Sequence, residues 1–201
     1  MKLFKSHDVN TFHYVTAVTF NRVPVFRSEN ACSFFIETLA ETRNKHPFKL
    51  IGYVIMPDHI HLILNPLSRD ISDLMRRLKG RSGHLILDWL RVGNHESSLA
   101  KLCLSVPQKR SHKHAVWLKD YSSIDLWSAK FIRQKLNYIR ENPVRAKLCQ
   151  HPVQWRWSSY HAYLPHEPGC VPIEIDWQGY WNDDPAGASK ASKRTFVKII
   201  F

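Results

Sequence analysis

The sequence is 201 residues long and 44% hydrophobic, enough to bury one sizeable core and carry extensions. No run of about 18 apolar residues occurs, which argues against a membrane-spanning helix. The start, MKLFKSHDVNTFHY, has no apolar core of signal-peptide length, so a cytoplasmic location is expected. Lys and Arg number 29 against 17 Asp and Glu, a net charge of +12 that favours a polyanion. Nucleic acid is the first candidate, because no helix joins a basic face to an aromatic-rich apolar one as a membrane-surface helix does.

In chain order, Phe12 to Phe20 (FHYVTAVTF) is rich in aromatic and β-branched residues and reads as a strand. Pro24 breaks the run, and Ser28 is placed to cap a helix through about Asn44, with Phe35, Ile36 and Leu39 inward. Residues 48 to 64 (FKLIGYVIMPDHIHLIL) are two apolar runs around Pro57-Asp58, a turn-forming pair that makes them a hairpin. Asp70 begins a second helix, with Ile71, Leu74, Leu78, Leu85 and Trp89 at core spacing and Gly80 and Gly83 weakening or dividing it. Residues 92–114 lack a sustained period and read as a basic connecting loop, followed by a short strand over Ala115 to Tyr121. A third helix is expected from about Ile124 to Asn142, ended by Pro143. WRWSSYHAYL, residues 155 to 164, reads as a docked element with buried aromatics, and residues 165–201 as a partly ordered tail with a late basic run. The four cysteines lie far apart without a CxxC pair, so free thiols are expected. This order of elements predicts an α+β, ferredoxin-like antiparallel sheet with helices packed on one face.

Two features stand apart from core building. On a strand, His59 and His61 project from one face while Ile60 and Leu62 point to the other. Two imidazoles roughly 6–7 Å apart along a strand can share one divalent cation, or they can be solvated rings on an open sheet face. His112-Lys113-His114 has the same spacing but lies in the basic loop, where nothing fixes both rings. The second feature is the helix KFIRQKLNYIRENPVRAKL. Tyr138 and Asn142, four apart, face one way if the last turn stays helical. They offer a hydroxyl nucleophile beside an amide ligand, or an amphipathic Tyr and a helix-closing Asn. Arg133, Lys135, Arg140, Arg145 and Lys147 surround this helix, and Arg76, Arg77, Lys79 and Arg81 cluster on the second. These side chains suit phosphate contacts, which supply affinity but little sequence information.

YVIMPDHIHLIL, then YIRENPVRAKL about 75 residues on, then WRWSSY, together resemble the REP-associated tyrosine transposases, single-tyrosine members of the HUH nuclease superfamily. The resemblance covers roughly residues 12–164 and implies an HUH endonuclease fold, with residues 1–164 as the catalytic domain and 165–201 as the tail. It implies that Tyr138 is the nucleophile and that His59, His61 and Asn142 hold Mg²⁺ or Mn²⁺. The implied activity cleaves and rejoins single-stranded or hairpin DNA through a 5′-phosphotyrosine, at repetitive palindromic sequences. One departure stands out: relatives often carry a histidine a few residues beyond the Trp of the short strand, whereas Trp117 here leads into KDYSSIDL. Three rivals remain at this level: a catalytically idle DNA-binding relative, a metal-dependent nuclease that activates water, and a relaxase of the same superfamily. The absence of a GxxxxGK[ST] motif and the small size weigh against the last. Monomer and homodimer both stay open.

Overall fold

The structure, a computed structural model, describes residues 11–104, 113–163, 173 and 175–176. Its elements run β1 (Phe12–Val18), α1 (Glu29–Lys45), β2 (Phe48–Met56), β3 (His59–Pro66), α2 (Ile71–Val92), α3 (Glu96–Lys101), β4 (Ser122–Leu126) and α4 (Ala129–Arg145). Short 3₁₀ turns fill several of the connections. The strands form one antiparallel sheet in the order β2-β3-β1-β4, the ferredoxin-like arrangement expected from the sequence. Among the described residues no helix is long and apolar enough to cross a membrane.

Helices cover both faces of the sheet rather than one. α1 and α2 close the face built by Val15, Ala17, Leu50, Tyr53, Ile60, Leu62 and Leu64. α4 closes the other, setting Leu136 and Ile139 against Tyr14, Val54, Met56 and Ile63. The reason lies in β2, which is apolar at both parities. A strand with two hydrophobic sides needs a cover on each. The paired histidines share their parity with Ile63, so they lie on the face that α4 covers.

The helix boundaries follow local chemistry. The Asp70 side chain accepts from the Ser72 and Asp73 backbone amides and starts α2, which runs unbroken through Gly80 and Gly83. Gly83 stays helical because it packs against Trp117, whose indole Nε1 donates to Ser82 Oγ at 3.1 Å. Beyond that point the buried stripe passes to Ile86 and Leu90, leaving Leu85 and Trp89 half-buried. The fourth strand falls at Ser122–Leu126, not Ala115 to Tyr121, where Trp117 forms only an isolated bridge to Thr19. Consequently α4 starts at Ala129, capped by Ser128, whose hydroxyl accepts from Phe131 N.

Pro143 lies inside α4 instead of ending it. Its ring removes one backbone donor in the last turn. The helix closes two residues on: Lys147 N donates to Val144 O and Leu148 N to Pro143 O, both at 2.9 Å, with Lys147 at φ 57. The expected basic loop contains α3 and a bridge from Cys103 to His114, while residues 105–112, His112 among them, lie outside the described residues. Cys32, Cys103 and Cys149 are free thiols, as expected.

The WRWSSY segment docks along β2, as expected, but its buried members are serines rather than aromatics. Trp157 O accepts from Ile55 N, and Ser159 Oγ accepts from Tyr53 N at 3.0 Å while lying 3.2 Å from Tyr53 O. Trp155, Trp157, Tyr160 and Tyr163 are half-buried. Part of the tail also docks: Ile173 is buried in the core, and Asp176 pairs with Arg43 and accepts from Leu50 N. The late basic run of the tail lies outside the described residues.

Candidate active site

β3 sits between β1 and β2, and register places Thr16 and Val54 on either side of His61. Tyr14 lies two residues along β1 on the same face. Both neighbours reach one ring nitrogen: Tyr14 Oη and Thr16 Oγ1 are each 2.8 Å from His61 Nδ1. His61 is only 5% exposed, and its Nε2 is buried with no partner. Burial, then the neighbouring His59 and Lys135, push its pKa down to about 3, so the ring is neutral at physiological pH. A proton on Nδ1 would go to a hydroxyl and leave the Nε2 lone pair open, as a metal-binding imidazole requires.

His59 is oriented by a carboxylate. Its Nδ1 lies 2.6 Å from Asp58 Oδ1, and Asp58 also accepts from Arg22 Nη1 at 2.9 Å. Burial alone would raise the Asp58 pKa, but its bonds to His59 and Arg22 outweigh that and hold it below the usual carboxylate range. The two imidazoles meet edge to face with ring centres 4.8 Å apart. With Nδ1 of each ring engaged, a shared cation would take Nε2 of each.

α4 brings the phenol to this pair. Gly52 makes the approach possible: a Cβ there would lie 2.7 Å from Leu136 Cδ1, so the helix seats where β2 has no side chain. Two residues beyond Leu136, the Tyr138 ring lies 5.7 Å from the His61 ring and 6.2 Å from that of Tyr14. Tyr138 is 39% exposed, whereas Tyr14 is buried and its phenol is pushed up to about 12. Of the two phenols at the site, Tyr138 is the one open to solvent.

Asn142 lies one turn beyond Tyr138, half-buried, with its Nδ2 atom enclosed and without a partner. Two imidazoles and one amide fit a divalent cation that keeps several waters. An unpartnered buried Nε2 and a carboxylate-backed second histidine are what such a site presents. Among the described residues no group of three or more His, Cys, Asp or Glu gathers that could hold a metal.

Basic side chains of α4 surround the phenol. Lys135 Nζ lies 4.8 Å from the Tyr14 ring centre and 6.0 Å from that of Tyr138, and the Arg145 guanidinium lies 5.4 Å from the latter. Arg140 is placed differently, half-buried over Tyr163 at 4.2 Å and Tyr160 at 5.8 Å, where it ties the WRWSSY segment to α4. Arg133 is exposed on the same helix, and Lys147 closes its end.

The α2 cluster is not brought to this site. Arg76 and Arg77 both pair with Asp73, Lys79 donates to Lys119 O at 2.7 Å, and Arg81 faces Glu41 at 3.5 Å, all on the layer across the sheet. Sequence reasoning passed over Tyr14, Thr16 and Asp58. The strand alternation of β1 carried a signal for the first two, and the Asp adjoining His59 one for the third.

Known proteins share this architecture. The chain is 26% identical to a REP-associated tyrosine transposase of Escherichia coli K12 over 152 residues, 74% of each chain. It is 23% identical to a candidate REP-associated tyrosine transposase of Haemophilus influenzae over 135 residues, 66% of this chain and 70% of that one. The solved structure of a REP-associated tyrosine transposase bound to a REP hairpin overlays with a TM-score of 0.62 at 18% identity, over 96% of this chain and 99% of the other, a likeness of fold. Residues 8–142 match the family described as IS200-like transposases, and by that match over most of its length the chain belongs to this family.

Proposed function

We propose that this transposase cleaves and rejoins single-stranded or hairpin DNA, with Tyr138 as its one nucleophile. The observation that carries the reading is the placement of an exposed phenol 5.7 Å from a neutral histidine whose buried Nε2 has no partner. His59 and His61, with Asn142, are the residues that would hold Mg²⁺ or Mn²⁺. When bound there, the cation supplies positive charge to polarise the phosphate oxygens.

The remaining chemistry belongs to the chain. Tyr138 Oη attacks phosphorus, a tyrosine–phosphate bond forms, the P–O3′ bond breaks, and the released 3′ oxygen takes a proton. The phenol's own proton leaves to solvent, and Lys135 and Arg145 lie beside the ring, where they would meet the phosphate's charge. The product is a 5′-phosphotyrosine, and attack by a 3′-hydroxyl reverses the exchange and frees the tyrosine. Covalent capture conserves the phosphodiester for rejoining, whereas attack by water would spend it. The substrate is a strand pliable enough to reach a half-exposed ring, hence a single strand or a hairpin foot. Likeness to REP-associated relatives supports repetitive palindromic sequences as its source.

A denaturing gel of labelled hairpins incubated with Mg²⁺ or Mn²⁺ tests this. The expected result is a protein–oligonucleotide adduct that disappears in Tyr138→Phe, in His59→Ala and in EDTA, while Tyr138→Phe still shifts the hairpin in a native gel. An adduct formed by Tyr138→Phe, or cleavage products without any adduct, would overturn the assignment.

A further inference from the structure

Trp127 is 81% exposed, in the short link between β4 and α4. Indole is the largest apolar side chain, and leaving it in water contributes almost nothing to the core. Its position is nevertheless defined. The ring lies 5.9 Å from that of Phe131 at a 51° tilt, and Ser128 next to it is the hydrogen-bonded cap of α4. From there the helix carries a continuous series of flat and cationic groups toward the nucleophile. Phe131 lies 5.5 Å from Lys135 Nζ, and Lys135 in turn lies over Tyr14 and beside Tyr138. Residues 131, 135 and 138 follow helical spacing along one side of α4, and Trp127, just ahead of the cap, joins them through its ring contact with Phe131.

Resting on the reading that Tyr138 attacks a DNA strand, we propose that Trp127 and Phe131 form a stacking platform for unpaired bases flanking the attacked phosphate, with Lys135 neutralising the backbone between platform and phenol. The chemistry favours a nucleic-acid occupant over an apolar peptide. The aromatic pair is continuous with a cationic side chain and ends at the nucleophile, and alternating ring and cation is how single strands are held without base-specific bonds. The helical rise sets the reach: seven residues from Phe131 to Tyr138 span about 10 Å. At a stacked rise of ~3.4 Å per nucleotide, Phe131 sits about three nucleotides from the cleavage point, with Trp127 beyond it. Specificity there concerns strandedness rather than sequence, because every base has a face to stack.

The test compares one hairpin in three forms, blunt, with a 5′ single-stranded extension and with a 3′ extension. Binding is measured in the Tyr138→Phe background so that cleavage does not intervene. Trp127→Ala is expected to weaken binding of one extended form by roughly 5- to 150-fold, the range set by loss of one base stack. The blunt hairpin and the melting temperature should stay unchanged, and Trp127→Phe should recover most of the loss. Equal weakening of blunt and extended hairpins, no weakening of either extended form, or a loss explained by a lower melting temperature would overturn the platform. The reading of Tyr138 fails separately: selective binding that depends on Trp127, in a protein forming no covalent adduct, would leave the platform standing and remove the nucleophile. A protein that binds no hairpin at all overturns both.

Discussion

Three side chains decide what His61 can do, and only one of them is a histidine. Tyr14 and Thr16 hold Nδ1 from β1, and His59 crowds the ring from the same strand. Groups that orient a metal-binding imidazole matter nearly as much as the imidazole, and losing them typically lowers metal affinity by ~10- to 100-fold. Since two hydroxyls serve one nitrogen, each of Tyr14→Phe and Thr16→Val should cost less than the pair. The double variant is expected to weaken Mn²⁺ binding by ~10- to 100-fold, read by electron paramagnetic resonance titration, with the hairpin still bound. An unchanged Mn²⁺ affinity in the double variant would show that the hydroxyls do not position this ring.

Gly52 acts at the same scale through space rather than bonding. A methyl group there would meet Leu136 Cδ1 at 2.7 Å, and Ile139 Cδ1 lies a further ångström away at 3.8 Å. Either α4 moves outward or Leu136 leaves its rotamer, a strain of ~1–3 kcal/mol. Gly52→Ala should therefore slow adduct formation more than it weakens hairpin binding, because the phenol shifts relative to His61 while the basic face of α4 is retained. Gel kinetics beside a native-gel titration separate the two, and equal losses in both would point to general unfolding instead.

At the scale of elements, β2 would be an open sheet edge were it not covered by residues 155–163. Ser159 brackets Tyr53, accepting from its amide and lying within hydrogen-bond distance of its carbonyl, and both groups are buried. Removing one partner leaves the other buried and unsatisfied, at ~1–3 kcal/mol. Ser159→Ala should lower the urea midpoint accordingly with the m-value unchanged. No shift in the midpoint would mean that the segment lies on the sheet without stabilising it.

The same elements show what could be read in advance. The His pair, the Tyr helix, the Asp70 cap and the strand–helix order were legible because each has a local signal: alternation, a 3.6-residue period, or a capping residue. The start of α4 was misplaced by about five residues because SSIDL alternates weakly on an edge strand, so Ser128 was passed over as the cap. The continuation of α4 past Pro143 rests on the hydrogen bonds that close the helix beyond it, which no local signal announces. Tyr14 and Asp58 carried a weak local signal that could not by itself mark them as site residues. Their importance depends on cross-strand register and on a turn, both settled only when the sheet assembles.

At the scale of the whole molecule, the sheet divides the charge. The net charge of +12 gives no direction by itself. Structure assigns Lys135 and Arg145 to the layer of Tyr138, and Arg76 and Arg77 to the layer across the sheet, where both are held by Asp73. A bound strand releases counterions only where its phosphates meet cations, so log K against log salt falls by ~0.7 per contact for single strands and ~0.9 for duplex. Lys135→Ala and Arg145→Ala should each reduce that slope by about this amount and weaken binding at low salt. Arg76→Ala and Arg77→Ala should leave the slope within error of the parent, since those cations lie behind the sheet and already face a carboxylate. The measurement is hairpin affinity across a series of salt concentrations in the Tyr138→Phe background. If the α2 variants changed the slope and the α4 variants did not, the DNA would have to run over the layer opposite the phenol, and no strand bound there could present its phosphate to Tyr138.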